Sequence, residues 1–282
     1  MKIKKVTVIG SGTMGIGIAH TFAQFNYNVN LVDVNQEIIN KGLTNISKNI
    51  DRQIKKGIFS EDRKKEILLR IKTSTELFSA KDSDIVIEAA TENAEIKKNI
   101  FKMLDEICKV DCILASNTSS ISITEIAAVT NRPDKVIGMH FMNPVPMMKL
   151  VEIIRGLTTS QDVYDIIKDI SERLSKIPVE VQDYPGFISN RILLPMINEA
   201  VYCVMEGVAT PEAIDNVMKL GMNHPMGPLT LADFIGLDVC LFIMEVLQNG
   251  FGDSKYRPCP LLKKMVAAGH LGRKSGQGFY KY

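Results

Sequence analysis

The sequence lacks a long apolar run. A membrane-spanning helix needs about 18 to 20 consecutive apolar residues, and even the apolar stretch at 241–247 contains Glu245. Three lysines, Lys2, Lys4 and Lys5, precede an apolar segment at 6–23 and resemble the start of a secretory signal. The glycines of that segment have a better explanation, given below. The sequence therefore predicts no membrane partner.

Cysteine and net charge are also scarce. The 34 Lys and Arg are nearly balanced by 32 Asp and Glu, so no overall field attracts nucleic acid or an anionic membrane. The cysteines are odd in number and show no CxxC pair and no Cys/His metal spacing, which argues against a disulfide framework or a metal site and favours a reducing, cytoplasmic location. They are Cys108, Cys112, Cys203, Cys240 and Cys259.

What the chain does contain is an alternation of strand and helix patterns, followed by helices alone. Such alternation is typical of a mostly parallel sheet with helices on both faces. Pro185 and Gly186 mark a boundary, so we expect an α/β domain over 1–184 and an all-α domain over 185–282, at a typical ~150 residues per domain. The strand patterns lie at 5–9, 29–32, 85–89, 112–115, 136–139, 151–154 and 179–181, and the later helical patterns at 188–205, 211–220, 229–247 and 261–268.

A glycine motif joins the first strand to the first helix. Gly10, Gly12 and Gly15 form G-x-G-x-x-G around Thr13 and Met14, and Asp33 ends the next strand. In this setting the glycines permit a tight turn, approach of the backbone to a pyrophosphate and close packing of helix on strand. The motif predicts a Rossmann-type domain that binds a dinucleotide, although a glycine-rich turn in another α/β fold is the alternative. Because a carboxylate at Asp33 would bind ribose hydroxyls and repel a 2′-phosphate, the cofactor is expected to be NAD.

Polar residues follow the carboxyl ends of later strands, where ligands gather in an open parallel sheet. They include Glu92, Ser119 and His140, while Glu152 interrupts the next apolar strand. A Glu152 carboxylate bonded to His140 would fix the imidazole tautomer and support proton exchange near pH 7. Ser119 could share the substrate oxygen. A structural role for His140 is the alternative, and it is the role expected of the remaining histidines, His20, His224 and His270.

Several longer motifs resemble the 3-hydroxyacyl-CoA dehydrogenase family, in particular its stand-alone bacterial short-chain members. They are GSGTMG at 10–15, SNTSS at 116–120, GMHFMNPVPMMKLVEI at 138–153, PGFISNR at 185–191, PMGPLTLADFIGLD at 225–238 and GRKSGQGFY at 272–280. The resemblance implies NAD-dependent interconversion of (S)-3-hydroxybutyryl-CoA, or a similar short-chain thioester, and acetoacetyl-CoA.

The same resemblance implies residue roles. His140 would be the general base and Glu152 its orienting partner, while Ser119 and Asn190 would hold the substrate oxygens. The nicotinamide half of NAD would meet a further set of residues, namely Glu92, Lys97 and Asn143. Coenzyme A carries phosphates, and a basic stripe at Lys48, Arg52 and Lys56 could bind them, although such stripes are usually only solvated helix faces.

Two further interpretations concern assembly and reaction class. The helical pattern at 229–247 is apolar on nearly every face, more than a domain of this size can cover, so we expect a homodimer through the C-terminal domain. Ser119, His140 and Glu152 could instead form a hydrolase triad, but the chain lacks a G-x-S-x-G elbow. Oxidation of a free sugar acid, as in a related family branch, is a third possibility.

Overall fold

The computed structural model describes residues 3–282, and the chain divides into two compact units between Asp183 and Tyr184. In the first unit, the strands are β1 (Lys5–Ile9), β2 (Asn28–Val32), β3 (Ile71–Ser74), β4 (Ile85–Glu88), β5 (Ile113–Ser116), β6 (Val136–Phe141), β7 (Leu150–Arg155) and β8 (Ile177–Gln182). Its α-helices are α1 (Thr13–Gln24), α2 (Gln36–Lys55), α3 (Glu61–Leu69), α4 (Ala94–Ile107), α5 (Ile123–Ala127) and α6 (Gln161–Arg173).

The strands form one sheet in the order β3-β2-β1-β4-β5-β6-β7-β8. All neighbours are parallel except β6 and β7, which are antiparallel. Strands β4, β5 and β6 are buried at every residue, as expected where helices cover both faces. The predicted mostly parallel sheet is therefore confirmed.

Local sequence signals explain where the principal helices begin. Asn35 and Asn93 accept hydrogen bonds from the backbone N–H of Glu37 and Ile96, which caps α2 and α4. Helix α2 then buries an apolar stripe through Ile39, Ile46 and Ile50 against the sheet unit, while its polar side faces outward.

The second unit is helical, as predicted. Its α-helices are α7 (Ser189–Met205), α8 (Pro211–Asn216), α9 (Pro228–Ile235), α10 (Leu237–Phe251) and α11 (Pro260–Ala267). The single helix predicted over 229–247 is wrong, because Gly236 has a φ of 106° and separates α9 from α10. That backbone conformation ends a helix and favours glycine. The helix predicted over 211–220 also ends early, since Val217–Gly221 is a π-helical turn.

Two elements of the first unit were not expected from the sequence. Helix α3 buries only Ile67, so it carries almost no apolar periodicity, although Ser60 supplies an N-cap by accepting from the Arg63 N–H. Strand β3 is an edge strand in which polar Lys72 and Thr73 follow Ile71. Short, polar edge strands give a weak sequence signal.

Neither a membrane-spanning helix nor a metal-binding cluster is present in residues 3–282. No helix there is long and apolar enough to cross a membrane. No group of His, Cys, Asp or Glu side chains in the same range could hold a metal ion.

Candidate active site

The glycine motif forms a tight turn between β1 and α1. Gly10 has a φ of 99°, and a Cβ there would lie 2.6 Å from the carbonyl oxygen of Ala89. A Cβ on Gly15 would lie 1.8 Å from the carbonyl oxygen of Gly10, so helix and turn pack too closely for any side chain at that position. At Gly12, in contrast, a Cβ would meet nothing within 4 Å. The turn therefore packs tightly against the rest of the protein at Gly10 and Gly15, and leaves open space at Gly12.

This turn has the features of a pyrophosphate site. Gly12 is the N-cap of α1, and no side chain caps the helix there, so its first N–H groups, from Thr13 and Met14 onward, can meet an anion. The buried Ser11 Oγ has no hydrogen-bond partner among the described residues. Both observations fit a dinucleotide phosphate.

Asp33, the predicted ribose contact, lies beside the glycine turn. It directly follows β2, is half-buried, and its Oδ2 accepts a 2.6 Å hydrogen bond from the Ser11 N–H. The carboxylate is thus held beside the glycine turn. The adjacent Val34 is 91% exposed and provides no cation for a 2′-phosphate.

His140 and Glu152 face each other on the antiparallel pair β6 and β7. They are directly opposite in register, and His140 Nδ1 lies 2.8 Å from Glu152 Oε2. Both side chains are buried. The short connection at 142–149 makes this pairing local, so the two residues meet through a hairpin.

Glu92 organises the loop that contains Ser119. Its Oε1 accepts hydrogen bonds from Thr118 Oγ1 at 2.7 Å, the Ser119 N–H at 2.8 Å, Ser119 Oγ at 3.1 Å and Ser120 Oγ at 2.8 Å. Burial raises the pKa of Glu92, but the Lys97 charge and the bonds from these residues lower it more, and the net pKa is below its usual value. Glu92 is therefore an ionised acceptor at neutral pH.

Lys97 is buried and paired with a residue that the sequence analysis missed. Its Nζ lies 2.7 Å from Oε2 and 2.9 Å from Oε1 of Glu88, and 3.5 Å from Glu92 Oε2. Glu88 is the last residue of β4 and is fully buried. The sequence did contain a signal for this pair: Glu88 is an acidic residue at the carboxyl end of an apolar strand. A carboxylate buried there needs a partner.

The remaining predicted site residues lie in three other places. Asn143 is exposed in the 142–149 connection, which Lys176 holds by donating to the backbone oxygens of Val145 and Met148. Asn190 lies in the first turn of α7 in the second unit. The basic stripe is exposed on α2 and its C-cap, at Lys48, Arg52 and Lys56.

Comparison with known proteins identifies the class that this fold and site represent. Residues 5–184 match the model of the 3-hydroxyacyl-CoA dehydrogenase NAD binding domain, and residues 186–282 match that of the 3-hydroxyacyl-CoA dehydrogenase C-terminal domain. The chain belongs to the 3-hydroxyacyl-CoA dehydrogenase family. It is an NAD-dependent oxidoreductase.

Individual relatives match the chain along its whole length. It is 61% identical to a probable 3-hydroxybutyryl-CoA dehydrogenase of Bacillus subtilis, covering 100% of this chain and 98% of the relative. It is 55% identical to the 3-hydroxybutyryl-CoA dehydrogenase of Clostridioides difficile, covering 99% of each. The crystal structure of (S)-3-hydroxybutyryl-CoA dehydrogenase from Ralstonia eutropha superposes with a TM-score of 0.97 at 53% identity, over 100% of this chain and 99% of that one.

Proposed function

We propose that this protein interconverts (S)-3-hydroxybutyryl-CoA and acetoacetyl-CoA with NAD. The names of the similar proteins from Bacillus, Clostridioides and Ralstonia support this substrate class. NAD supplies the chemistry of hydride exchange with C3 of the substrate. The residues of this chain bind both molecules and move the proton of the C3 oxygen. The odd number and scattered spacing of the cysteines favour a cytoplasmic location.

The contact between His140 and Glu152 carries the proposal. With Nδ1 held by the Glu152 carboxylate, Nε2 is the nitrogen that takes the hydroxyl proton during oxidation and returns it during reduction. The 2.8 Å contact fixes the ring orientation. Burial of the pair keeps the carboxylate from being screened by water.

The other site residues bind and orient. Ser119 holds a substrate oxygen, and the family resemblance gives Asn190 the same role. The glycine turn and Asp33 hold the adenosine half of NAD, with Asp33 selecting against a 2′-phosphate. Glu92 and Asn143 lie on the nicotinamide side.

A single substitution tests the role of His140. In His140→Gln, which keeps a hydrogen-bonding side chain without a proton-exchanging one, kcat for acetoacetyl-CoA reduction should fall by about 100-fold or more. NADH binding, measured by fluorescence titration, should change by less than about twofold, because the glycine turn is untouched.

Glu152→Gln provides the matched comparison. It removes the charge but keeps an oxygen near His140, so kcat should fall less than in His140→Gln. Turnover of His140→Gln at the level of the unmodified protein would remove His140 from the mechanism.

A further inference from the structure

Glu88 is the centre of a buried hydrogen-bond network beneath the proposed site. Its Oε1 accepts from Lys97 Nζ and from the Ala90 N–H at 2.8 Å. Its Oε2 accepts from Lys97 Nζ and from Ser116 Oγ at 2.9 Å. The side chain is 0% exposed, so none of these acceptor positions can be supplied by bulk water.

Lys97 extends this network to the Ser119 loop. The ammonium group is bonded to both oxygens of Glu88 and lies 3.5 Å from Glu92 Oε2. The other Glu92 oxygen, Oε1, is the common acceptor for the 118–120 loop. Lys97 thus lies between a buried carboxylate and a partly exposed one, with side chains 0% and 30% exposed respectively.

Glu88 also fixes the loop through its backbone. Its carbonyl oxygen accepts from the Asn117 N–H at 2.7 Å. Asn117 Oδ1 in turn accepts from the N–H of Phe141, the residue after His140, at 2.9 Å. One residue is therefore connected both to the loop of Ser119 and to the strand of His140.

Charge explains why Lys97 needs Glu88. A buried ammonium group is stable only when it is paired. If Glu88 lost its charge, Lys97 would no longer be held 3.5 Å from Glu92 Oε2. Glu92 would then lose the fixed cation that keeps its other oxygen, Oε1, on the 118–120 loop. The position of Glu92 therefore depends on the charge of Glu88.

We propose that Glu88 is a positioning residue: by holding Lys97, it keeps Glu92 in place to orient the Ser119 loop. Lys97 then acts through Glu92, since its own side chain is 2% exposed. This inference rests on the proposed function for its catalytic consequence, but its geometric consequence is independent of any substrate.

Three variants test it: Glu88→Gln, Lys97→Met and the double variant. The thermal midpoint should fall in both single variants, because each leaves a buried charge unpaired, and should largely recover in the double variant, where both charges are gone. The amide signal of Ser119 is then followed by NMR in ligand-free, serine-labelled protein. It should shift, and its hydrogen exchange should accelerate by about tenfold or more, in all three variants.

Acetoacetyl-CoA reduction gives the second readout, and kcat should be lower by about tenfold or more in all three variants. Asp105→Asn is the control, because Asp105 is a buried carboxylate paired with Arg132 at 2.6 Å. It lies on α4, about 12 Å from Lys97 along the helix. The control variant should lower the thermal midpoint and leave both the Ser119 amide and kcat unchanged.

The proposal is overturned if the Ser119 amide is unchanged in ligand-free Glu88→Gln, or if the amide and kcat recover together with stability in the double variant. If a single variant does not fold, the neutral double variant decides. If the unmodified protein does not reduce acetoacetyl-CoA, the proposed function fails, and the Ser119 amide still decides the role of Glu88.

Discussion

At the scale of single residues, His20 shows how the core restricts a titratable group. It lies on the buried side of α1 with 1% exposure, and neither ring nitrogen has a hydrogen-bond partner among the described residues. Burial lowers the pKa of His20 from 6.5 to about 4. The imidazole is therefore neutral in the folded protein at neutral pH.

This burial predicts a loss of stability in mild acid. Between pH 6.5 and about 4 the unfolded chain binds a proton at His20 that the folded protein does not. The free energy of unfolding therefore decreases as the pH is lowered, and His20 accounts for a decrease of about 3 kcal/mol by about pH 4. Denaturant titrations from pH 7.5 downward should show this slope, and His20→Leu should reduce it.

His270→Leu is the control, because His270 is partly exposed and its removal should leave the slope unchanged. An identical slope in His20→Leu would show that the acid sensitivity comes from other groups.

At the scale of elements, Lys176 holds the connection between β6 and β7. Its ammonium group lies 2.5 Å from the Val145 oxygen and 2.7 Å from the Met148 oxygen. Burial lowers the pKa of Lys176, because removing the ammonium group from water disfavours its charged form. The bonds fix a segment that includes the proposed cofactor contact Asn143.

Loss of the two Lys176 hydrogen bonds should loosen the 142–149 connection without removing a reacting group. In Lys176→Met, KM for NADH should rise by about tenfold, while kcat at saturating NADH should change less than about threefold. Lys176→Arg should retain more of the affinity, because it can still donate to both oxygens. An unchanged KM for NADH in Lys176→Met would refute a role for the Lys176 hydrogen bonds in cofactor binding.

The basic stripe on α2 gives a second prediction at this scale. Lys48, Arg52 and Lys56 are exposed, and Arg52 Nη1 donates a 3.3 Å hydrogen bond to Asn49 Oδ1. If they contact the phosphates of CoA, Arg52→Ala and Lys56→Ala should each raise KM for acetoacetyl-CoA by about threefold to tenfold. Lys65→Ala, an exposed lysine on α3, should not. If all three variants had the KM of the unmodified protein, the basic stripe would be only a solvated helix face without a role in CoA binding.

The elements also show how far the sequence could predict the site. The sequence predicted the polar residues at the strand ends, because strands buried on both faces are short apolar runs that are easy to recognise. These residues are Asp33, Glu92, Ser119 and His140. The pairing of Glu88 with Lys97 was not predicted, because the partners are separated by a loop and a helix start. The break at Gly236 was missed because one glycine inside an apolar helical pattern is also compatible with a continuous helix.

At the scale of the whole molecule, the second unit retains exposed apolar side chains after folding. Val239 and Phe242 on α10 are 38% and 42% exposed, and Phe234 on α9 is 55% exposed. Leu237, Cys240 and Ile243 of the same segment are buried within the unit. The outward residues are the candidate contact of the expected homodimer.

Sedimentation velocity tests this assembly. The protein should sediment as a dimer at micromolar concentration, and Phe242→Glu should shift it toward monomer, because a carboxylate would be buried at the interface. Phe78→Glu, at an exposed apolar residue of the first unit, should remain dimeric. A monomer at this concentration for the unmodified protein would refute the expectation.

The register of β6 and β7 limits how this family can vary in length. Because His140 stands directly opposite Glu152, inserting or deleting one residue within either strand turns one partner to the other face of the sheet. Evolutionary insertions in this part of the chain must therefore fall in the 142–149 connection or outside the hairpin, and a natural homologue with an odd-length change inside one strand would have lost the pair.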